Sequence, residues 1–474
     1  MLFHTWTFAV FLAVVLTVHL LVRRTRFGNL WLLVASYIFY GWWHPYYLGL
    51  ILFSTLVDYV AVRMMERRSA NPSATGWWGS RHCWLIVSIV NNLGTLAFFK
   101  YARFAVDNLN IVLGYLPVNI QISSPEDWMP FGWEYLLPVG ISFYTFQSMS
   151  YTIDYYRGHI KAENNFIRFA TYVSFFPQLV AGPIERATRL LPQFSAVRSI
   201  SRSDVSSGGW LILVGLFKKL ALANYIALYV EQVFGFPEDH STADLALASF
   251  AFAWQIYFDF SGYSDIARGI ARWMGFELCL NFNHPYVASS LSQFWQRWHI
   301  SLSTWFRDYI YIPMGGNRVS SWRLYGNLLI TFVISGIWHG ANWTFVVWGL
   351  WHGLGLCLAR LIRSRLDVRI PAFIGGPVVF IFVWIGWIFF RADDMSQAMY
   401  ILGRIGSGGW GTCHMPMLMI ILIALVWIYQ MAAEYSQGRR FLQDIRVQAV
   451  LAVAMLIYLF FGSASGGAFI YFQF

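Results

Sequence analysis

Charge is what this chain has least of. Only 12% of its 474 residues are Asp, Glu, Lys or Arg, against 58% hydrophobic, and its mean hydropathy is +0.51. Soluble globular domains carry about twice that charge. Acidic residues are the scarcer kind, 23 against 33 basic ones, giving a net charge of +10. That excess does not indicate a nucleic-acid partner. The Arg and Lys residues sit in short clusters between apolar runs, where membrane loops carry them. Cysteine is also sparse. Cys83, Cys279, Cys357 and Cys413 have neither paired nor metal-type spacing and read as small hydrophobes. There is no His-Glu-x-x-His, no glycine loop before a Lys and no Gly-x-Gly-x-x-Gly, so a metal site, ATPase chemistry and dinucleotide binding have no support. Residues 1–22 lack a basic start and a small-residue cleavage site, so they read as a retained helix.

Apolar runs and aromatics are abundant, with 24 Trp, 26 Tyr and 41 Phe. Runs near the ~20 residues that cross a bilayer recur along the chain. They predict an all-α polytopic integral membrane protein. The run Leu12 to Leu21 breaks the alternation a β-barrel needs. Spans are expected at about 3–22, 30–43, 47–62, 83–99 and 135–155. Further apolar segments lie at about 166–181, 210–234, 244–274, 325–338, 342–362, 373–390, 415–433 and 447–462. Counting the first spans puts three basic clusters on one side: Arg23/Arg24/Arg26, Arg63/Arg67/Arg68 and Arg157/Lys161/Arg168. The positive-inside rule makes that side cytoplasmic, the N-terminus periplasmic and residues 69–81 a cytoplasmic loop.

The stretch 284–324 mixes aromatics with Arg297, His299, Arg307 and Asp308, and is expected to form re-entrant or interfacial helices buried in protein. Three regions follow: N-terminal helices over 1–130, a core over 131–365 and C-terminal helices over 366–474. No internal repeat is evident, which weighs against a two-fold transporter.

Ionisable groups at membrane depth mark function by default. Two triplets fit that description, Trp338-His339-Gly340 and Trp351-His352-Gly353. Glycine beside His339 allows close approach of a ligand, and it would equally serve as a helix cap. On one continuous helix His352 would lie about 140° round and about 20 Å along from His339, too far to share a centre. A packing role is favoured for it.

A second cluster is Gln293-Phe294-Trp295-Gln296-Arg297-Trp298-His299-Ile300-Ser301-Leu302-Ser303. On a helix, Trp295, His299 and Ser303 share a face, which permits a base and nucleophile; an amphipathic helix with a structural His is the plainer reading. In Tyr257-Phe258-Asp259-Phe260-Ser261-Gly262-Tyr263-Ser264-Asp265, Asp265 has Arg268 or Arg272 for a partner, whereas Asp259 has none nearby. Pro177 and Gly182-Pro183 interrupt an apolar segment around Gln178.

Together these motifs resemble the membrane-bound O-acyltransferase (MBOAT) family, and most closely its bacterial branch of the alginate O-acetylation type. The resembling runs are Phe176-Pro177-Gln178 with Ala181-Gly182-Pro183-Ile184, Tyr257 to Asp265, and Asn281-Phe282-Asn283-His284-Pro285-Tyr286. They continue with Phe294 to Ser303, Arg307 to Gly316, Ser335 to Gly340 and the ending Phe469 to Phe474. The resemblance implies a ring of about 11 transmembrane helices plus re-entrant helices around a central funnel. It implies His339 as the essential histidine and His299 as the second catalytic position. Asp259, Arg297, Trp298, Ser303, Gln178 and Asn342 are the candidates for substrate contacts.

The implied reaction moves an acetyl group from a cytoplasmic thioester, acetyl-CoA, across the bacterial inner membrane to O-acetylate an exported polysaccharide such as alginate. The expected partners are acetyl-CoA, periplasmic acetyltransferases, the polysaccharide and membrane lipids, with no tightly bound cofactor. The alternatives are D-alanyl transfer to teichoic acid, or a polysaccharide transporter or channel.

Overall fold

A computed structural model describes residues 1–70, 80–117, 120–130, 134–196, 198–366 and 370–462. The expected ending motif at Phe469 to Phe474 and most of the loop at 69–81 lie outside them. Among the described residues every regular element is helical and no strand occurs. Among the described residues seven helices are long and apolar enough to cross a membrane: Pro45–Arg67, Arg81–Gly114, Arg202–Gly235, Trp343–Arg365, Ala372–Arg391, Met417–Glu434 and Ile445–Gly462. The protein is a multi-pass membrane protein. Other expected spans are shorter or more polar. Trp6–Val22 has 17 residues, Gly28–Gly41 has 14 and Ile141–Tyr156 has 16. Thr242–Trp273 is 32 residues long but carries Asp244, Asp259, Asp265, Arg268 and Arg272. Broad apolar exposure on Ile445–Gly462, including Phe460 and Phe461, suits a lipid-facing surface.

The chain divides into two compact units, residues 1–208 with 270–278, and residues 209–269 with 279–474. In the first, helices α1 (Trp6–Val22) and α2 (Gly28–Gly41) precede two long helices and Ile141–Tyr156. A fully buried carboxylate, Asp58, ties three of these helices together. It accepts from Ser88 Oγ at 2.6 Å, from Asn92 Nδ2 at 2.8 Å and from Ser148 Oγ. The apolar segment around Gln178 breaks where the prolines require it, with helices at Phe166–Ser174 and Phe176–Leu179.

The second unit contains the long helix α3 (Thr242–Trp273, as far as Gly269) and two short helices, α4 (Leu291–Arg297) and α5 (Ile300–Phe306). It continues with α6 (Ser321–His339), α7 (Trp343–Leu366), α8 (Ala372–Arg391) and α9 (Met417–Glu434). At seven residues each, α4 and α5 reach only about 10 Å and cannot cross a bilayer. Helices α6 and α7 form a tight hairpin. A Cβ on Gly336 would meet the Phe345 carbonyl oxygen at 2.2 Å, and one on Gly349 would meet that of Phe332 at 2.4 Å. Only glycine permits this backbone approach, the usual device between membrane helices.

Candidate functional site

Helix α4 starts at Ser290, whose side chain caps the Gln293 amide, and ends at Arg297. Trp298 is extended and His299 is left-handed, with φ 43° and ψ 55°, before α5 begins. His299 and His284 are the two non-glycine residues with positive φ among the described residues. A β-substituted residue there is uncommon and persists only where its surroundings hold it. Asn281 does the holding. Its carbonyl accepts the Ile300 amide at 2.9 Å. Its side-chain Oδ1 accepts from the Ser301 hydroxyl at 2.9 Å and from the Ser301 amide at 3.3 Å.

The same Oδ1 lies 3.1 Å from His299 Nδ1. An oxygen that already takes two donors from Ser301 is an acceptor towards the imidazole as well. The Nδ1 therefore carries the proton and Nε2 carries the lone pair. The ring is fully buried, edge-on to Phe260 at 4.6 Å, and burial pushes its pKa down to about 3. His299 is a neutral imidazole whose acceptor atom is Nε2.

His339 is the last residue of α6 and is 4% exposed. The Gly340 amide reaches back to the Gly336 carbonyl at 3.4 Å, and Gly340 is extended rather than left-handed. Three aromatic rings meet the imidazole edge to face: Trp338 at 4.9 Å, Trp348 at 5.0 Å and Phe390 at 5.1 Å. Trp338 also meets His299 at 6.3 Å, so one indole touches both histidines.

The structure changes several expectations. The shared face of Trp295, His299 and Ser303 does not form, because the helix breaks between α4 and α5. Ser303 Oγ instead donates to the Trp298 carbonyl at 3.2 Å. His339 and His352 are not on one helix. The chain reverses between α6 and α7, and the fully buried His352 meets Trp348 at 4.9 Å, beside His339.

Asp259 has a partner that local sequence does not show. Lys219, on the adjoining helix, places Nζ 2.5 Å from Asp259 Oδ1. Asp265 pairs with Arg268 at 3.5 Å, as spacing suggested, and more closely with Lys218 at 2.6 Å. Between these pairs the backbones of Gly215 and Gly262 cross, where a Cβ on Gly262 would lie 2.9 Å from the Gly215 carbonyl oxygen.

The remaining candidates each have defined contacts within the protein. Arg297 forms a fork to Glu434 at 2.6 and 3.1 Å. Trp298 is buried against Trp387 at 4.8 Å and Phe282 at 5.0 Å. Asn342 caps α7 through the Thr344 amide at 3.1 Å and holds the Asp393 carbonyl at 2.7 Å. Gln178 belongs to the first unit, where its Nε2 donates to the Tyr172 carbonyl at 3.2 Å.

Sequence reasoning missed Asn281, Lys219, Trp348 and Phe390 as site partners. Asn281 lay in a resembling run but had no role. No group of three or more His, Cys, Asp or Glu side chains suited to a metal occurs among the described residues.

Comparison with known proteins adds to this geometry. The profile of the MBOAT, membrane-bound O-acyltransferase family, matches residues 156–392. A protein named probable alginate O-acetylase AlgI from Pseudomonas aeruginosa is 40% identical over 437 residues, covering 90% of this chain and 80% of that one. A peptidoglycan O-acetyltransferase from Helicobacter pylori is 31% identical, over 83% of this chain and 76% of its own. A teichoic acid D-alanyltransferase from Lacticaseibacillus rhamnosus is 30% identical, over 54% and 68%.

Proposed function

This chain belongs to the membrane-bound O-acyltransferase family and is an O-acyltransferase; on that premise we propose that it moves an acetyl group from acetyl-CoA to a hydroxyl, with His339 as general base. The acceptor oxygen bonds to the thioester carbonyl carbon, His339 takes the hydroxyl proton, and the carbon–sulfur bond breaks to release the thiolate. An imidazole suits this work because its ordinary pKa lies near neutral pH. The observation that carries the reading is the aromatic enclosure of His339, with His299 in contact with the same Trp338 ring.

His299 has a narrower role than its chemistry alone allows. With its proton on Nδ1 and held by Asn281, neutral His299 does not donate from Nε2 to an oxyanion. It accepts an O–H, and so orients the acceptor hydroxyl. Asp259, Arg297, Trp298, Ser303, Gln178 and Asn342 hold the surroundings of the reaction rather than the reacting atoms.

The thioester enters from the cytoplasmic side of the bacterial inner membrane, the N-terminus is periplasmic, and the acetyl group leaves outward. Its destination is an exported polysaccharide, reached directly or through a periplasmic acetyltransferase. The longer matches to proteins named for alginate and peptidoglycan O-acetylation support an acetyl donor over D-alanine. Reconstituted protein offered acetyl-CoA or a D-alanyl carrier protein separates the two donors. The acetyl reading requires consumption of the first only, and consumption of the second only overturns it.

A further inference from the structure

We infer that a cavity at the α1–α2 turn, within the first unit, is a binding site for a phosphate group. The cavity holds about 160 Å³, room for several waters and so for one phosphate. Its wall includes Arg23, Arg24, Arg168, Arg198, His19 and Asn29. Among the described residues no carboxylate side chain lines it. Arg168 is paired with Glu163 at 3.1 Å, and Arg198 with Glu277 at 2.9 Å and Asp204 at 3.0 Å. Among the described residues no carboxylate pairs with Arg23 or Arg24, although Arg23 Nη1 donates to the Arg198 carbonyl at 3.3 Å. Two guanidinium charges therefore converge on the cavity without a counter-ion.

Two further features are independent of the arginines. Helix α2 begins at Gly28 on the cavity wall, and its preceding residue, Phe27, offers no side-chain cap. The Gly28 amide donates to the Thr25 carbonyl at 3.2 Å, and the Asn29 and Leu30 amides that follow add a positive dipole end there. His19, only 3% exposed, also forms part of the wall. Its Nε2 lies 2.9 Å from the Met274 carbonyl and so carries the proton. Nδ1 is then an acceptor, and it has no partner among the described residues. A hydrogen phosphate group matches this wall: anionic oxygens for the guanidiniums and amides, a P–OH for Nδ1. Setting membrane topology accounts for arginines in this turn, but not for their convergence on a cavity with a buried imidazole.

The phosphate belongs either to a soluble phosphorylated compound or to an anionic lipid headgroup. The test uses the full chain in phosphatidylcholine nanodiscs. Inorganic pyrophosphate is titrated calorimetrically against wild type, Arg24→Gln, and the Arg23→Gln/Arg24→Gln pair. The second arm compares thermal stability with and without phosphatidic acid, whose phosphomonoester carries a P–OH, in the disc. Pyrophosphate binding weakened about tenfold or more in the variants identifies a soluble ligand. Stabilisation by phosphatidic acid alone, lost in the variants, identifies a headgroup. Wild type and variants indistinguishable in both arms overturn the site. Both readouts are of binding, so the result stands apart from acyl transfer.

Discussion

His339 and His352 flank one indole: their ring centroids lie 5.0 and 4.9 Å from that of Trp348. The α6–α7 reversal makes this possible, and it extends the aromatic contacts in a line from His299 through Trp338, His339 and Trp348 to His352. Trp348 is fully buried and fixes the face against which His339 turns. Trp348→Leu is expected to lower kcat on the order of 10²-fold through misplacement of the imidazole, while Trp348→Phe retains most of the rate. Steady-state kinetics on both variants, with folding checked by thermal melting, decides the matter.

His352 differs from its neighbour in kind. Neither of its ring nitrogens has a hydrogen-bond partner among the described residues, and its Nε2 abuts Gly386. Burying polar atoms this way costs about 1–3 kcal/mol relative to an apolar ring. If His352 only packs, His352→Phe keeps or raises the melting temperature and leaves the rate within about threefold. A rate lost about a hundredfold with the fold intact assigns the imidazole a chemical part.

The left-handed backbone at His299 and its protonation both depend on Asn281. Asn281→Leu removes the acceptor for Nδ1–H and is expected to cost about tenfold in kcat, the equivalent of one hydrogen bond. The wild-type pH profile follows from the same site. A folded-state pKa near 3 lies below the ordinary imidazole value, so His299 stays unprotonated down to about that pH. Between about 6.5 and about 3 the unfolded chain binds a proton there that the folded chain does not, so this residue makes stability fall as pH falls. Any acid limb of kcat/KM between pH 5 and 7 therefore belongs to another group. Such a limb should survive in the slower His299→Asn variant; its disappearance there contradicts the assignment.

The Lys219–Asp259 pair gives a stability prediction. Both partners are buried, Lys219 at 6% and Asp259 at 2% exposure. Lys219→Met removes the cation from a buried carboxylate and is expected to destabilise by about 3–5 kcal/mol, whereas Lys219→Met with Asp259→Leu recovers much of the loss. Chemical denaturation in detergent micelles reads both. A double variant as stable as wild type but inactive would instead give the pair a functional role.

Much of this molecule was legible in its residues. The apolar runs gave the helical membrane class, and the prolines marked the break near Gln178. The aromatic-rich stretch 284–324 read as too polar to span, and α4 and α5 within it have seven residues each. What stayed hidden depends on contacts far apart in sequence. Periodicity placed Ser303 beside His299 because it assumes a continuous helix, and it cannot register a single left-handed residue. The Asn281 contact spans 18 positions, and the Arg297–Glu434 fork spans 137. The pairing of Asp259 with Lys219 depends on two glycine backbones crossing, which no local pattern encodes.

The central claim is that His339 carries out proton transfer. Its most direct test is single-turnover transfer of the acetyl group from labelled acetyl-CoA by purified protein in nanodiscs, comparing wild type with His339→Ala at matched melting temperature. A fall of about 10²- to 10⁴-fold is the predicted result. Transfer by His339→Ala at the wild-type rate, with the fold intact, would contradict it.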